Sequence, residues 1–546
     1  MASYSGPKAI ELAAGIATLF VSWCFSSLTA QTVYSPQRST ESVSLSLTDH
    51  KSRAILLFRN GDYEGALEQF RFAVQVDPRD VGSQDNIGVT LARLGRTIEA
   101  TEALLKAIDM DARFPPAHYH LGLIYDQIGR TSEAIEKYQE ALHLNPMFSE
   151  ARYALSGVCW RIGDLEGSVK LLQESLRANP NSLEIRLNLA IGLWKEGDLS
   201  AAIRLLETAK KQHPKAPRLF SALGQILVET QDLSGAVLAL GRVVELAPQD
   251  PESHYNLGLA LRLDGDLDAA ARTLRKTLEL RPDHALAHRA LGLVLRDKGE
   301  LEGAAAELRL AVSYLPQDSM AHHNLGSVQL KLGRVGEAVH QLREAVRLDP
   351  YLLEAHYNLA RALRRGGRAE EAVEVTGKAQ QLSKEKADVA RSIVLIQSAL
   401  QHREGSEIEE ALEALREATA VAPQLVEAHF QLALTLVQSG QNTPETEKAL
   451  RRVLALQPGH ARAHYQLGRY FLKGGRTEEA VTELRAATRL APSLVDAHRE
   501  LGILFLGLEQ WSMAASEFRA VLAWHADDLE AKKDLVAAMD ALDGEN

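Results

Sequence analysis

The sequence predicts an all-α fold, a solenoid in which pairs of short helices are stacked along most of the 546 residues. Three observations lead to this prediction. Small residues recur at helical spacing, and no segment shows the alternating apolar pattern of a β-strand. Proline recurs every 34 residues, at Pro146, Pro180, Pro214, Pro248, Pro282, Pro316 and Pro350. A period of this length is typical of an array whose units pack mainly on their neighbours, and it leaves little of the chain for a separate catalytic domain.

One unit shows how the pattern specifies a helical hairpin. Gly122 lies in a first amphipathic segment, Ala134 and Tyr138 lie in a second, and Gly129 separates the two. Gly122 and Ala134 allow the helices to approach closely, while larger side chains such as Tyr138 fill the space around them. Pro146 then ends the second helix, because it lacks an amide hydrogen and cannot extend the helical hydrogen bonds.

These residues resemble the tetratricopeptide repeat, whose signature places Leu-Gly, Tyr, Ala, an aromatic residue, Ala and Pro at these offsets. The pattern recurs in 14 units, from about residue 47 to about residue 526. The glycine position is held by Gly88, Gly122, Gly224, Gly258, Gly292, Gly326, Gly468 and Gly502. The resemblance implies a right-handed superhelix of antiparallel helix pairs, in which the first helix of each pair lines a concave groove.

The regular spacing is interrupted once, between Pro350 and Pro423, where Lys384 stands at the expected proline position. This interval is longer than two repeats need. We therefore expect irregular units around residues 377–445, with a bend or a looser interface there. Residues 527–546 are expected to form a cap helix with a charged outer face, followed by a short tail.

Residues 1–30 have the features of a secretory signal peptide, with one lysine (Lys8), an apolar run and small residues that place cleavage after Ala30. This predicts export, to the periplasm or out of the cell. The apolar run is close to the length of a membrane-spanning helix, so an uncleaved membrane anchor over residues 9–28 is the alternative. Residues 31–46 are rich in Ser, Thr and Gln and are expected to be a flexible linker.

The composition argues against several classes of function. A net charge of −11 disfavours nucleic-acid binding, which depends on clustered Lys and Arg. Cys24 and Cys159 are the two cysteines, so the sequence predicts neither a disulfide framework nor a CxxC zinc site. No phosphate-binding or nucleophile motif stands in a strand–turn–helix context. We therefore predict no enzymatic activity, no catalytic residues and no cofactor.

Histidine recurs at one position of the first helices, at His118, His254, His288, His322, His356, His464 and His498. Metal binding needs several such side chains within about 2 Å of one ion. These histidines lie in separate stacked units, so we interpret them as packing residues and predict no metal site.

Asparagine recurs two residues before the glycine position, at Asn86, Asn188, Asn256, Asn324 and Asn358. This pattern resembles the asparagine ladder in the tetratricopeptide superhelix of O-linked GlcNAc transferase, where such side chains hold the backbone of an extended peptide. An amide both donates and accepts hydrogen bonds, so it can pair with any peptide unit. The resemblance implies a peptide-binding groove, although no catalytic domain follows the repeats here. The alternative is that Asn-Leu-Gly is simply common in these repeats.

A basic strip accompanies the asparagines in the seventh to tenth units, and it consists of Arg262, Arg289, Arg296, Arg361 and Arg364. Such a strip in an acidic chain favours an acidic ligand, because charge-assisted hydrogen bonds are strong. The alternative is a charged face with local ion pairs. Trp160 and Trp194 hold the Arg262 position in earlier units, where they are apolar anchors if exposed and packing residues if buried.

Together these patterns predict a non-enzymatic scaffold that binds extended segments of a partner protein along its groove, with acidic segments favoured by the strip. Two alternatives stay open. One is a membrane-anchored factor that assembles a complex, which requires that residues 9–28 are retained. The other is a targeting subunit for an enzyme on another chain, such as a glycosyltransferase.

Overall fold

The computed structural model describes residues 45–440, 443–525 and 527–545. These residues form 28 α-helices in tandem, and they contain no strand, so the all-α prediction is confirmed. The expected signal peptide or anchor and nearly all of the expected linker lie outside the described residues. None of the described helices is both long enough and apolar enough to cross a membrane.

The helices in chain order are α1 (Leu45–Arg59), α2 (Tyr63–Val76), α3 (Val81–Arg93), α4 (Thr97–Met110), α5 (Pro115–Gln127), α6 (Thr131–Leu144), α7 (Ser149–Ile162), α8 (Leu165–Ala178), α9 (Leu183–Glu196), α10 (Leu199–Gln212), α11 (Pro217–Glu229), α12 (Leu233–Leu246), α13 (Pro251–Asp264), α14 (Leu267–Leu280), α15 (Ala285–Asp297), α16 (Leu301–Tyr314), α17 (Ser319–Lys331), α18 (Val335–Leu348), α19 (Leu353–Arg365), α20 (Ala369–Glu404), α21 (Ile408–Val421), α22 (Val426–Gln438), α23 (Pro444–Leu456), α24 (Ala461–Lys473), α25 (Thr477–Leu490), α26 (Val495–Gly507), α27 (Trp511–Trp524) and α28 (Leu529–Glu545).

These helices group into two compact units. The middle unit contains α10–α22, and the terminal unit contains α1–α9 together with α23–α28. Within each unit a helix packs mainly on the helices that precede and follow it in the chain. In the terminal unit α6 also packs against α27, so early and late repeats of the chain are in direct contact there.

The glycine position of each hairpin is a point of close approach between its two helices. A Cβ atom on Gly292 would lie 2.7 Å from Cγ of Leu308 and 3.2 Å from the carbonyl oxygen of Ala304. A Cβ on Gly122 would lie 2.7 Å from the ring of Tyr138. Neither distance is tolerable for carbon, so glycine is required if the helices are to keep this separation.

The histidines and prolines of the repeat together fix the loop between hairpins. Nε2 of His288, in the first turns of α15, lies 2.9 Å from the carbonyl oxygen of Pro282. Equivalent contacts of 3.0 to 3.1 Å join His254 to Pro248, His322 to Pro316, His356 to Pro350, and His464 to Pro458. Histidine at this position therefore ties these five first helices to the loops before them.

The interruption of the proline spacing coincides with one long helix. α20 runs without a break for 36 residues, and Lys384 lies inside it. With no proline to remove a helical hydrogen bond, the second helix of the tenth repeat continues into the first helix of the eleventh. The expected bend or looser interface around residues 377–445 stays a prediction.

The last helix, α28, buries Ala531, Leu535 and Ala538 against the preceding hairpin. Its outer face carries the expected charges, including Lys532 and Lys533. It also exposes apolar side chains, among them Leu529, Val536 and Met539.

Candidate functional site

The asparagines that the sequence singles out all lie on first helices, and they divide between the two units. Asn86 on α3 and Asn188 on α9 belong to the terminal unit. Asn256 on α13, Asn324 on α17 and Asn358 on α19 belong to the middle unit. The asparagines therefore belong to two separate sets, one on each unit.

The amides of these asparagines differ in how far they are already hydrogen-bonded. Asn188 Nδ2 donates to the Tyr153 hydroxyl at 2.7 Å, and Arg361 donates to Asn358 Oδ1 at 3.0 Å. By contrast, Asn86 Oδ1 and Asn324 Nδ2 are buried and have no hydrogen-bond partner among the described residues. A buried amide without a partner is costly, so Asn86 and Asn324 are the members of the set with unused hydrogen-bonding capacity.

First helices of adjacent repeats are linked by side chains 35 residues apart, and sequence reasoning missed this register. In the terminal unit the buried carboxylate of Asp85 lies 2.8 Å from Nδ1 of His120, which occupies the asparagine position of the third repeat. The Tyr153–Asn188 hydrogen bond has the same spacing. Polar residues 35 positions apart in the sequence are the pattern from which these contacts could have been predicted.

Carboxylates that meet the basic strip, one of them in this 35-residue register, reduce its net positive charge. In the middle unit Asp297 accepts from Arg262 at 3.1 Å and from Arg296 at 2.8 Å. Burial disfavours the charged form of Asp297, but the hydrogen bonds and positive charges of Arg296 and Arg262 outweigh it and hold the pKa of this carboxyl below its usual value. Arg289 pairs with Asp318 at 2.7 Å, and both side chains are 11% exposed. This part of the strip is largely neutralised.

The remaining arginines of the strip, Arg361 and Arg364, lie on α19 next to a further arginine, Arg365. Arg361, Arg364 and Arg365 are exposed, and within the described part of the chain they form hydrogen bonds to neutral oxygen atoms and no ion pair. Arg364 donates to Thr376 Oγ1 at 2.7 Å, and Arg365 donates to the Leu330 carbonyl oxygen at 3.0 Å. Their positive charge is therefore available to a ligand.

An aromatic side chain that the sequence reasoning did not single out extends this surface. Tyr357 on α19 is 45% exposed. Since side chains four residues apart lie on the same face of a helix, Tyr357, Arg361 and Arg365 form one stripe, beside Asn358 and Arg364. We call these five residues the α19 stripe. The sequence feature that could have indicated Tyr357 is its position directly before Asn358.

Trp160 and Trp194, two tryptophans of the terminal unit, are neither fully buried nor fully exposed. Trp160 lies near the end of α7 and Trp194 near the end of α9, at the positions that correspond to Arg262. Lys195 Nζ lies 5.4 Å from the centroid of the Trp194 ring, a cation–π distance. Their role as anchors for a ligand stays a prediction.

The described residues contain no group of three or more His, Cys, Asp or Glu side chains arranged to hold a metal ion. Cys159, the one cysteine in this part of the chain, is fully buried, and burial raises the pKa of its thiol well above the usual value. A thiol in this state is a poor nucleophile.

Family models described as tetratricopeptide repeat match residues 52–118, 119–182, 163–226, 193–258, 255–319, 323–383 and 432–495. These segments cover more than half of the chain. The chain belongs to the tetratricopeptide repeat family. The sequence prediction of this family is confirmed, and the chain is a protein-interaction scaffold at the level that family membership implies.

Several solved structures are similar to this tetratricopeptide repeat chain. MamA from Desulfovibrio magneticus RS-1 is 26% identical over 31% of this chain and 94% of its own, with a TM-score of 0.29. The APC/C hetero-tetramer Cut9–Hcn1 is 14% identical over 90% of this chain and 96% of its own, with a TM-score of 0.34. A tetratricopeptide repeat protein from Parabacteroides merdae is 17% identical over 46% of this chain and 99% of its own, with a TM-score of 0.33. No curated protein matches the chain.

Proposed function

We propose that this protein is a non-enzymatic scaffold that binds an extended, acidic segment of a partner protein along the first helices of its middle unit. The observation that carries the proposal is the α19 stripe, where exposed arginines without carboxylate partners stand beside an exposed tyrosine. Tyrosine and arginine, like tryptophan, are enriched at energetically dominant positions of protein interfaces. The Asn324 amide nitrogen, on the preceding first helix, is buried and has no hydrogen-bond partner among the described residues, so it can donate to a peptide backbone once its side chain turns outward.

The arginines divide the strip into two functional parts in this proposal. Arg262, Arg289 and Arg296 are bound to Asp297 and Asp318, so they contribute little net attraction, and the Arg262–Asp297 and Arg289–Asp318 pairs join adjacent repeats. Arg361 and Arg364 supply the attraction for carboxylates, with Arg365 beside them. Acidic residues of the ligand are therefore expected to lie near α19, and its backbone near Asn324.

The experiment reverses charge on α19 and compares it with the same change elsewhere in the unit. The test variant is Arg361→Glu with Arg364→Glu, and the matched control is Arg275→Glu with Arg309→Glu, exposed positions on the second helices α14 and α16. The probe is a fluorescent peptide of repeated Glu-Ser-Gly triplets, titrated by fluorescence anisotropy at low and at high salt.

Exposed charge pairs contribute about 0.2–1 kcal/mol each, and reversal replaces attraction by repulsion. We expect the α19 variant to weaken binding by about 1–2 kcal/mol, roughly a factor of 5 to 30 in Kd, and to lose most of the salt dependence. The control should keep an affinity within about twofold of the unchanged protein. Equal losses in both variants would show that the peptide responds to net charge alone, and the proposed site would be wrong.

The proposal places the scaffold outside the cytosol, on the basis of residues 1–30. N-terminal sequencing of the mature protein tests this part separately. A first residue at Gln31 supports export with cleavage after Ala30, whereas an intact N-terminus supports the anchored alternative.

A further inference from the structure

The last described helix, α28, exposes a face that is covered in the hairpins of the terminal unit. In those hairpins the first helix packs against the second helix of the same repeat. Gly502 on α26, for example, faces Phe518 on α27, where a Cβ atom on the glycine would lie 2.9 Å from the ring. Val536 holds the corresponding position on α28, 34 residues later, and is 57% exposed. Valine excludes the close approach of a repeat hairpin, so this face suits a helix that packs at a wider separation.

Exposed side chains at spacings of three, four and seven residues form one stripe along this face. We call them the α28 stripe, which consists of Leu529, Lys532, Lys533, Val536, Met539, Asp540 and Asp543. Within the described part of the chain, the lysines and aspartates of the stripe form no ion pair. Single exposed apolar residues are common, but here three of them share a face with four charges that have no partner. The stripe therefore has the composition of a small interface.

The order of its charges makes the α28 stripe complementary to itself. Both lysines precede Val536 and both aspartates follow it. If two copies of α28 pack antiparallel about a two-fold axis at Val536, Lys533 of each copy lies opposite Asp540 of the other. Lys532 then lies opposite Met539 and Asp543 of the second copy, so its aliphatic stem meets an apolar side chain and its ammonium group meets a carboxylate. A parallel arrangement would bring like charges together.

We propose that this protein forms a homodimer by antiparallel packing of α28 on α28 of a second copy. Such a contact closes on itself, because the same residues serve on both sides. A membrane surface fits the stripe less well, since its aspartates would be repelled by anionic lipid headgroups. A standard interface buries about 800 Å² per partner and one helix face offers less, so we expect a dissociation constant in the micromolar range. The dimer concerns the terminal unit and does not depend on peptide binding by the middle unit.

The experiment measures the molecular mass of the full chain by sedimentation velocity over about 1–100 μM protein. Lys533→Glu places carboxylates opposite each other at two points of the contact. The double variant Lys533→Glu with Asp540→Lys restores both pairs with the charges exchanged. Val536→Glu brings two carboxylates together at the two-fold axis. The matched controls are Lys106→Glu and Ile98→Glu, at exposed positions on α4 of the same unit.

We expect the unchanged protein to pass from monomer to dimer across this concentration range. Lys533→Glu should weaken dimerisation by about 5- to 30-fold, because two exposed charge pairs are both converted to repulsion. Val536→Glu should weaken it by about tenfold or more, since two charges would be desolvated together. The double variant should return to within about threefold of the unchanged protein, and both controls to within about twofold. Helical circular dichroism should be the same in all variants, because every substituted side chain is exposed.

Three results would each overturn the proposal. The first is an unchanged protein that stays monomeric at about 100 μM, in which case α28 faces solvent or a different partner. The second is a Val536→Glu variant that dimerises as strongly as the unchanged protein, because the dimer would then form elsewhere. The third is a double variant that dimerises no better than Lys533→Glu, because the lysine and the aspartate would then not meet across an antiparallel contact.

Discussion

The close approach at Gly292 gives a stability prediction with an internal reference. Gly292→Ala adds a Cβ 2.7 Å from Cγ of Leu308, 3.1 Å from its Cδ2 and 3.2 Å from the Ala304 carbonyl oxygen. Leu308 is fully buried and Ala304 contributes backbone, so neither can move away cheaply. Overpacking of this kind costs about 1–3 kcal/mol, and alanine returns up to about 1 kcal/mol through helix propensity. We expect a net destabilisation of about 1–2 kcal/mol.

Gly241→Ala is the reference, because this glycine lies within α12 and an added Cβ would have no atom within 4 Å. Here the gain in helix propensity from glycine to alanine is not offset by a steric clash, so we expect stabilisation by about 0.5–1 kcal/mol. Repeat arrays unfold in segments, so the measurement is native-state hydrogen exchange of α15 and α16 for Gly292→Ala and of α11 and α12 for Gly241→Ala. If both substitutions stabilise their hairpins, the glycine position is not a point of steric contact and the packing argument fails.

Two further predictions concern a histidine and the long helix. Burial disfavours the charge on His464, but its hydrogen bonds to Glu483 at 2.6 Å and to the Pro458 carbonyl oxygen outweigh burial and raise its pKa. A raised pKa means that this stabilisation is complete below about pH 6.5 and is lost as pH rises through the folded-state value. Glu483→Gln should therefore lower thermal stability at pH 5.5 more than at pH 8, and an equal loss at both would contradict the ion pair. Lys384→Pro should destabilise the middle unit by about 3 kcal/mol, because proline interrupts α20. Unchanged urea unfolding would show that the helix is already broken there.

The part of the fold that the sequence could predict is the part that repeats. Pro282 and Gly292 specify a loop and a close approach by local chemistry, and the same chemistry recurs every 34 residues. The placement of Asn256, Asn324 and Asn358 on first helices followed from that phase. Lys384 was visible as an irregular position, but spacing alone did not tell whether the chain would bend or continue as one helix.

What the sequence could not predict depends on contacts between repeats. Arg262 and Arg296 share a helical phase with Arg364, yet Asp297 pairs with both: with Arg262 across adjacent first helices, 35 residues apart, and with Arg296 as its neighbour in the chain. The contact between Asp164 and Ser493 is even less predictable from the local sequence pattern. Nothing in a 34-residue period relates residues 329 apart, since a purely one-dimensional array has no such contact.

The number of arginines in a strip does not by itself show where an acidic ligand is expected to bind. What matters is which arginines have no carboxylate partner within the protein. A strip of arginines in an acidic chain suggests one long electrostatic surface. An arginine whose guanidinium is already bound to a carboxylate must give up that partner before it can gain another, and the exchange contributes little net free energy. If Arg289 turned to a ligand, its ion pair with Asp318 would also be lost, and this pair is well shielded because both side chains are 11% exposed. Under the proposed function, recognition of an acidic segment is therefore expected to depend on the arginines of the strip that have no carboxylate partner among the described residues, and these lie on α19.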